Sequence, residues 1–176
     1  MSGIDQNIKF IPINFAIAVI SDTRNIRNDK SGNVLGEKIV DSGHNVLSKN
    51  FIKDEVHEII NFFKKNTKEK EIDAIITTGG TGLTGRDSTP EAFQAVIDKE
   101  IPGFGEMFRM ISYQKIGASA LQSRACGGIM SGKFIFILPG SPSACKDAWD
   151  EILNFQFDNR YRPCNLVDLI PRLTES

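Results

Sequence analysis

The sequence predicts a single α/β domain of three layers, αβα, with helices on both faces of a mostly parallel sheet. Apolar runs of strand length alternate with segments of helical periodicity, an order that is typical of sheets built from β-α-β units. The apolar runs are continuous, as expected for strands that helices cover on both faces. A length of 176 residues suits one domain with a well-buried core.

The first part of the chain contains two predicted strands, each followed by a helix. The run FAIAVIS at residues 15–21 predicts a buried strand, and a polar loop separates it from a helix over about residues 32–42. Residues 45–52 predict a second strand. Asp54 is placed to cap the next helix, in which apolar residues recur at helical spacing.

The alternation continues in the second part of the chain. Residues 74–77 predict the third strand, and the helix after it begins at Ser88, where a hydroxyl, a proline and an acid follow in order. A further helix is expected within residues 102–115. Residues 134–138 form the fourth clear strand, and a turn with two prolines leads from it into a last helix near residues 144–153.

The segments outside this alternation define the expected domain boundaries. Residues 1–12 are expected to be a flexible N-terminal extension, residues 13–165 form the domain, and residues 166–176 form a C-terminal tail without a strong pattern. The stretch at 101–126 is richer in Gly and Ser and is expected to be less regular than the rest.

Composition limits the partners and the compartment. With 21 basic and 22 acidic residues the net charge is −1, so no overall field attracts nucleic acid or a membrane surface. The longest apolar run is far shorter than a membrane span, and the N-terminus lacks the pattern of a signal peptide. The 3 cysteines form no disulfide or zinc pattern, so a reducing cytoplasm is the expected location.

Three unusual loops follow predicted strands. They are SDTR at 21–24, the glycine-rich run TTGGTGLTGRDSTPEA at 77–92, and LPGSP at 138–142. Because the carboxyl ends of parallel strands meet at one edge of a sheet, ligands bind in the crevice outside that edge. The three loops are therefore expected to form one ligand site.

The glycine-rich run carries the chemistry of an anion site. Its glycines let the backbone approach a ligand closely and present N–H groups to it. Thr81 adds a hydroxyl, Arg86 a charge for phosphate, and Asp87 an oxygen ligand that suits magnesium. The combination predicts a site for a nucleotide or another phosphorylated small molecule.

Ordinary structural roles remain open for several of these residues. Asp54 could be a plain helix cap, and Asp87 could stabilise the start of the following helix. Ser141 is placed to cap the last helix whether or not it touches a nucleotide. Glu106 and Arg109 are three residues apart on a predicted helix and could simply pair with each other.

Several longer motifs occur in a fixed order along the chain. They are SDTR, Ser31-Gly32, GGTG with GRDSTPEA, PGFGEMFR, LQSRACGG and LPGSPSAC. With these motifs the sequence resembles the MoaB/MogA family of molybdenum cofactor biosynthesis proteins over about residues 15–165. The segments FGEMFRMIS, LQSRA and RPCN are more similar to MoaB than to MogA.

The resemblance implies the molybdenum cofactor-binding fold and an activity. Active members of the family are molybdopterin adenylyltransferases, in which the terminal phosphate of molybdopterin attacks the α-phosphorus of ATP. The products are adenylyl-molybdopterin and pyrophosphate, and the reaction uses Mg²⁺. The family also implies the small-molecule substrates molybdopterin and ATP and a homotrimer or homohexamer.

The resemblance also implies roles for individual residues. Asp87 and Asp54 are implied as the catalytic and magnesium-binding acids, with Glu55 as the rival of Asp54 because the proline that often precedes this position is missing. The implied nucleotide-binding residues are Gly79, Gly80, Thr81, Gly82, Pro139, Gly140 and Ser141. The implied residues on the pterin side are Ser21, Asp22, Thr23, Glu106, Ser123 and Arg124.

Two other functions compete with the transferase. A protein of the same pathway could bind or carry molybdopterin without transferring AMP. A nicotinamide-dependent dehydrogenase is disfavoured, because the loop after the first strand reads SDTRNIRND and contains no G-x-G-x-x-G.

Overall fold

A computed structural model describes residues 3–175 and contains a six-stranded sheet, a two-stranded sheet and covering helices. The strands are β1 (Gly3–Ile4), β2 (Asn14–Ile20), β3 (Asn45–Ile52), β4 (Ala74–Thr78), β5 (Lys99–Glu100), β6 (Cys126–Met130), β7 (Lys133–Leu138) and β8 (Tyr161–Arg162). The helices are α1 (Ser31–Asp41), α2 (Val56–Asn66), α3 (Thr89–Gln94), α4 (Pro102–Ile116), α5 (Pro142–Ala148) and α6 (Asn154–Gln156). Short 3-10 turns cover Gly117–Gln122 and Val167–Arg172, and a π-helical turn at Trp149–Leu153 joins α5 to α6.

The large sheet has the strand order β3-β2-β4-β7-β6-β5. The first four strands of this order are parallel, and β6 and β5 are antiparallel to their neighbours. After β2 the chain moves outward to β3 and then returns to the other side of β2 to form β4. This reversal creates a topological switch point between β2 and β4, where open α/β sheets bind ligands. The predicted α/β fold with a mostly parallel sheet is confirmed.

The two faces of the sheet carry separate hydrophobic cores. Alternate residues of β2 show the division, since Phe15 and Ile17 pack in one core while Ala16 and Ala18 pack in the other. The first core contains side chains of α1, α4 and α5, and the second contains side chains of α2 and α3. Because β2 is covered on both faces, its sequence is a continuous apolar run rather than an alternating one.

The stretch expected to be irregular contains regular structure at its end. Cys126–Met130 forms β6, which pairs with β7 along its whole length. Its sequence CGGIM shows neither a long apolar run nor alternation. The two glycines are required by packing, because a Cβ at Gly127 would lie 2.7 Å from the Phe136 ring and one at Gly128 would lie 2.8 Å from the Phe93 ring. Tertiary contacts, not local pattern, therefore place this strand.

Both terminal segments contact the domain. Within the expected flexible extension, Gly3–Ile4 pairs antiparallel with Tyr161–Arg162, and the Asn159 side chain bonds the backbone of Lys9 and Ile11. Within the expected tail, Val167 is buried in the first core. Backbone pairing and side-chain hydrogen bonds therefore connect the N-terminal segment to the domain, and apolar burial connects the C-terminal segment to it.

No helix among residues 3–175 is long and apolar enough to cross a membrane. The cysteines are all free in this part of the chain, with Cys145 buried and Cys164 exposed.

His44 is a buried histidine beneath the N-terminal segment. Its Nδ1 accepts a hydrogen bond of 3.1 Å from the backbone N–H of Ile13, and its ring lies 5.0 Å from Phe10 and 5.9 Å from Trp149, measured between ring centroids. Burial lowers the pKa of His44 to about 4, because the charged imidazolium cannot be solvated there.

The shifted pKa of His44 predicts a loss of stability in mild acid. Between pH 6.5 and 4 the unfolded chain binds a proton that the folded chain does not, so the free energy of unfolding decreases as the pH falls. The contribution is up to about 3 kcal/mol. Denaturant unfolding between pH 7 and pH 4.5 should show the decrease, and His44→Gln should reduce it while His57→Gln, at an exposed histidine, should not. An NMR titration with the His44 pKa near 6.5 would contradict this assignment.

Candidate functional site

The three loops expected to converge do so in one cleft at the switch point. The cleft has a volume of about 420 Å³ and lies at the carboxyl ends of β2, β3, β4 and β7. Its lining residues are Ile20, Ser21, Asp22, Thr23, Arg24, Asp54, Gly79, Gly80, Thr81, Gly82, Arg86, Asp87 and Gly140. The polar composition and the glycine-rich wall suit a phosphorylated ligand.

The glycine turn after β4 has a backbone that only glycine accommodates well. Gly79 has φ of +110°, and a Cβ at this position would lie 2.1 Å from the carbonyl oxygen of Ile20 in the neighbouring strand. Gly80 has φ of +64°, and a Cβ there would lie 2.8 Å from Oδ2 of Asp54. Thr89 fixes the turn, because its N–H donates to the carbonyl of Gly80 and its hydroxyl to that of Gly79.

Asp54 is held at the cleft by the loop that precedes α3. Its Oδ1 accepts hydrogen bonds from the backbone N–H of Ser88 at 3.0 Å and from the Ser88 hydroxyl at 2.8 Å. The position of Asp54 in the sequence suggested a cap for α2, but its side chain does not cap that helix. It binds Ser88, the residue just before α3, instead. The side chain is 8% exposed, and its Oδ2 accepts no hydrogen bond from residues 3–175.

Asp87 is oriented by the residues just before it. Its Oδ2 accepts hydrogen bonds from the hydroxyl of Thr84 at 2.5 Å and from the Thr84 N–H at 3.0 Å. These bonds, with the Thr84 hydroxyl contributing most, hold the pKa of Asp87 below its usual value. A Cβ at Gly82 would lie 2.6 Å from Oδ2, so the glycine makes room for the carboxylate. Asp87 is thus an ionised carboxylate with a fixed orientation at neutral pH.

Arg86 is paired with two carboxylates at the mouth of the cleft. Its Nη2 lies 2.8 Å from Oδ2 of Asp22, and its Nη1 lies 2.7 Å from Oε1 of Glu55. The pairing lowers the pKa of Asp22 and raises that of Arg86. Arg86 was expected to offer its charge to phosphate, but in the structure two acids already neutralise that charge.

The side chain of Arg124 supports the glycine-rich loop by binding carbonyl groups of the loop backbone. Nε donates to the carbonyl of Thr81 at 3.2 Å, Nη2 donates to the carbonyl of Asp87 at 2.7 Å, and Nη1 pairs with Glu91. The guanidinium therefore connects both ends of the 81–87 segment to β6. This is a positioning role, and it differs from the contact with the pterin that the resemblance implied.

The remaining two loops have well-defined turns. The hydroxyl of Ser21 accepts hydrogen bonds from the N–H groups of Thr23 and Arg24, which bends the chain immediately after β2. At the end of β7, the carbonyl of Pro139 accepts from the Thr78 hydroxyl at 3.0 Å. Ser141 caps α5, since its hydroxyl accepts from the Ala144 N–H at 3.1 Å, as the sequence predicted.

Comparison with known proteins decides the family. Residues 16–159 match the family model described as "Probable molybdopterin binding domain". The chain belongs to this molybdopterin-binding family. The resemblance predicted from the ordered motifs is confirmed.

Named relatives place the chain in molybdenum cofactor biosynthesis. Molybdenum cofactor biosynthesis protein B of Escherichia coli strain K12 is 41% identical over 157 residues, which cover 89% of this chain and 92% of the relative. A Methanocaldococcus jannaschii protein named probable molybdopterin adenylyltransferase is 39% identical, covering 77% of this chain and 85% of its own length.

Solved structures agree in fold. A crystal structure of molybdenum cofactor biosynthesis protein B superposes with a TM-score of 0.84 at 38% identity, covering 94% of this chain and 98% of that one. The tungsten cofactor synthesizing protein MoaB from Pyrococcus furiosus gives a TM-score of 0.73 at 33% identity, covering 80% and 90%.

The cleft of this molybdopterin-binding domain gathers most of the residues predicted from the sequence. Those that line it are Ser21, Asp22, Thr23, Asp54, Gly79, Gly80, Thr81, Gly82, Asp87 and Gly140. Asp54 lines the cleft, whereas its rival Glu55 does not and is paired with Arg86. Pro139 and Ser141 flank Gly140 without lining the cleft themselves.

Glu106 and Ser123 lie outside the cleft. Glu106 is exposed on α4 and lines a separate depression of about 290 Å³ that also contains Arg109 and Arg124. No ion pair joins Glu106 to Arg109 among the described residues; Arg109 donates to the carbonyl of Ala125 instead. Ser123 is not among the lining residues of either space, and its hydroxyl accepts a hydrogen bond from the Ala125 N–H.

Arg24 is a polar lining residue to which the sequence analysis assigned no role of its own. It belongs to the SDTR motif, whose first three residues were selected. The signal that could have found it is its position, directly after the strand at the switch point and beside three selected residues.

The two acids fit a magnesium ion. Asp54 and Asp87 line the same cleft, and each keeps one carboxylate oxygen that accepts no hydrogen bond from residues 3–175. Mg²⁺ in nucleotide sites takes one or two carboxylates and completes its shell with water and phosphate oxygens. No group of three or more His, Cys, Asp or Glu side chains suited to a metal occurs among residues 3–175.

Proposed function

We propose that this protein transfers AMP from ATP to molybdopterin in a Mg²⁺-dependent reaction that releases pyrophosphate. The observation that carries the proposal is the pair Asp54 and Asp87 facing one glycine-walled cleft at the switch point. A phosphate oxygen of molybdopterin attacks the α-phosphorus of ATP, and the bond from that phosphorus to the oxygen of the β-phosphate breaks. The relative named probable molybdopterin adenylyltransferase supports this reaction.

The lining residues suit a reaction that needs position and charge rather than a protein nucleophile. Phosphoryl-type transfer depends on in-line placement of the reacting groups and on neutralisation of developing charge. The turn at 79–82 supplies close backbone approach, and Gly140 supplies it from the opposite loop. The polar groups that line the cleft in the described part of the chain are carboxylates, guanidinium groups, hydroxyls and backbone.

The charge of the cleft supports the proposed need for a divalent cation. Three carboxylates, those of Asp22, Asp54 and Asp87, line it together with only two arginines. A triphosphate would be repelled by this excess of negative charge. When bound, Mg²⁺ neutralises phosphate oxygens and helps to hold them in position. Asp54 and Asp87 would hold it, while Ser88 and Thr84 keep the two carboxylates in place.

We also propose that the protein acts in the cytoplasm as a homotrimer or homohexamer. An exposed apolar surface on α4 and the 3-10 turn after it supports self-association. It consists of Met107, Met110, Tyr113, Ile116 and Leu121, which are 50 to 89% exposed in the single chain. Sedimentation equilibrium of the full chain would give the number of copies.

Pyrophosphate release tests the transferase. Purified protein with molybdopterin, ATP and Mg²⁺ should release one pyrophosphate for each adenylyl-molybdopterin formed, and chelation of the metal should stop the release. A coupled phosphate assay measures pyrophosphate, and chromatography of the pterin measures the adduct.

The same assay separates the transferase from a molybdopterin carrier. Saturable molybdopterin binding by fluorescence, without pyrophosphate release and without any effect of ATP on the binding, would overturn the transferase and leave the carrier. Omission of molybdopterin is the control, because pyrophosphate released without it would indicate plain hydrolysis of ATP.

A further inference from the structure

We infer that Arg24 is the cation that binds a substrate phosphate in the cleft. This assignment rests on the proposed function, and it adds a binding residue outside the glycine-rich run. The inference comes from a comparison of the two basic side chains that line the cleft among residues 3–175, Arg24 and Arg86, of which only Arg24 is without an ion pair.

The position of Arg24 is fixed between two of the converging loops. Its Nη1 donates to the hydroxyl of Ser31 at 2.7 Å. A Cβ at Gly140 would lie 3.5 Å from Nη1 and 3.7 Å from Nη2, so the backbone of the loop after β7 packs against the guanidinium. The side chain is half-buried and lines the cleft.

Arg24 has no acidic partner among residues 3–175. No carboxylate lies within salt-bridge distance of it, and Ser31 is the only acceptor of its side-chain N–H groups in this part of the chain. A guanidinium carries five N–H donors, so most of its hydrogen-bonding capacity is available to a ligand. Arginine in such a state is well suited to phosphate oxygens, which accept paired hydrogen bonds from it.

The other arginines near the cleft are already engaged. Arg86 forms ion pairs with Asp22 and Glu55, so its charge is largely neutralised. Arg124 gives its donors to two backbone carbonyls and to Glu91. Of the two basic residues that line the cleft, Arg24 alone can meet an anion without first breaking an ion pair.

Two buried polar residues hold the Arg24 side chain in position through hydrogen bonds. The Ser31 hydroxyl accepts from Arg24 and lies 3.5 Å from Oδ1 of Asp29, to which it donates. Ser31 and Asp29 are both buried. The Asp29 carboxylate is itself satisfied, since it accepts from the Gly32 N–H at 2.8 Å and pairs with Lys49 at 3.2 Å. Asp29 therefore orients the arginine through Ser31 without neutralising it.

Binding measurements on Arg24 variants test the assignment. The full-length protein is titrated with ATP and Mg²⁺ by calorimetry and, separately, with molybdopterin by fluorescence. Arg24→Gln should raise the Kd of at least one of the two ligands by about tenfold or more, since a charge-assisted hydrogen bond is lost. The ligand that weakens identifies whether the phosphate of ATP or that of molybdopterin binds there. Arg24→Lys should give a smaller loss, because one ammonium cannot reproduce the paired bonds.

Arg27→Gln is the matched control. Arg27 lies in the same loop, is exposed and does not line the cleft, so its replacement removes the same charge without removing the contact. Unchanged Kd values for both ligands in the Arg24→Gln protein would overturn the assignment, and so would equal losses in the Arg24→Gln and Arg27→Gln proteins. Wild-type protein that binds neither ligand would instead overturn the proposed function itself.

Discussion

Replacement of Asp87 by Asn should reduce adenylyl transfer by at least about 100-fold while the protein stays folded. The amide keeps the shape of the side chain, and its oxygen can still accept the hydrogen bonds from Thr84. What is lost is the negative charge, which the low pKa of Asp87 otherwise maintains throughout the neutral range. Pyrophosphate release measures the effect, and thermal unfolding shows that the fold is retained.

Asp41→Asn provides the control for the Asp87 variant. Asp41 is exposed at the end of α1 and is not among the residues that line the cleft, so its neutralisation should leave turnover within about twofold of the wild type. An Asp87→Asn protein with more than a tenth of the wild-type rate would contradict a metal-binding role for this residue.

Replacement of Gly79 by Ala should destabilise the protein by at least about 2 kcal/mol and abolish activity. Two effects combine: an L-residue is strained at φ of +110°, and the new methyl would lie 2.1 Å from the Ile20 carbonyl in the adjacent strand. To relieve the contact, β2 and β4 must separate at the switch point where the cleft forms. Denaturant unfolding measures the loss in free energy.

Gly85→Ala is the matched variant in the same loop. A Cβ at Gly85 would meet nothing within 4 Å, and its φ is not in the left-handed region. The expected change in the free energy of unfolding is within about 0.5 kcal/mol. Equal stabilities for the Gly79→Ala and Gly85→Ala proteins would show that the close approach of the two strands does not constrain the turn.

The parallel half of the sheet could be predicted from the sequence, whereas the antiparallel half could not. The runs at 15–21 and 134–138 are apolar throughout because helices cover both faces of their strands, and that pattern is visible in one dimension. The strand Cys126–Met130 carries no such signal. Its glycines are set by the Phe93 and Phe136 rings, which are distant along the chain.

The candidate site divides in a similar way. Its location could be predicted, because three loops that follow parallel strands must meet at one edge of the sheet. The partners of its polar side chains could not be predicted, because Asp22 and Arg86 are 64 residues apart in the sequence and Asp54 and Ser88 are 34 residues apart. The sequence suggested that Arg86 binds phosphate and assigned no role to Arg24. Only the structure shows that acids pair with Arg86 and that none pairs with Arg24 among residues 3–175.

The hydrogen bonds of Arg124 tie the chemistry of the cleft to the surface proposed for assembly. Arg124 lies two residues after the end of the 3-10 turn Gly117–Gln122, and that turn carries Leu121, which is 89% exposed in the single chain. The guanidinium of Arg124 donates hydrogen bonds to the carbonyls of Thr81 and Asp87. A neighbouring copy that covers Leu121 would therefore also restrain the segment that holds Asp87, the acid proposed to bind the metal. The proposed activity would then depend on protein concentration. Association would restrain a loop that, in an isolated chain, is held only by contacts within that chain.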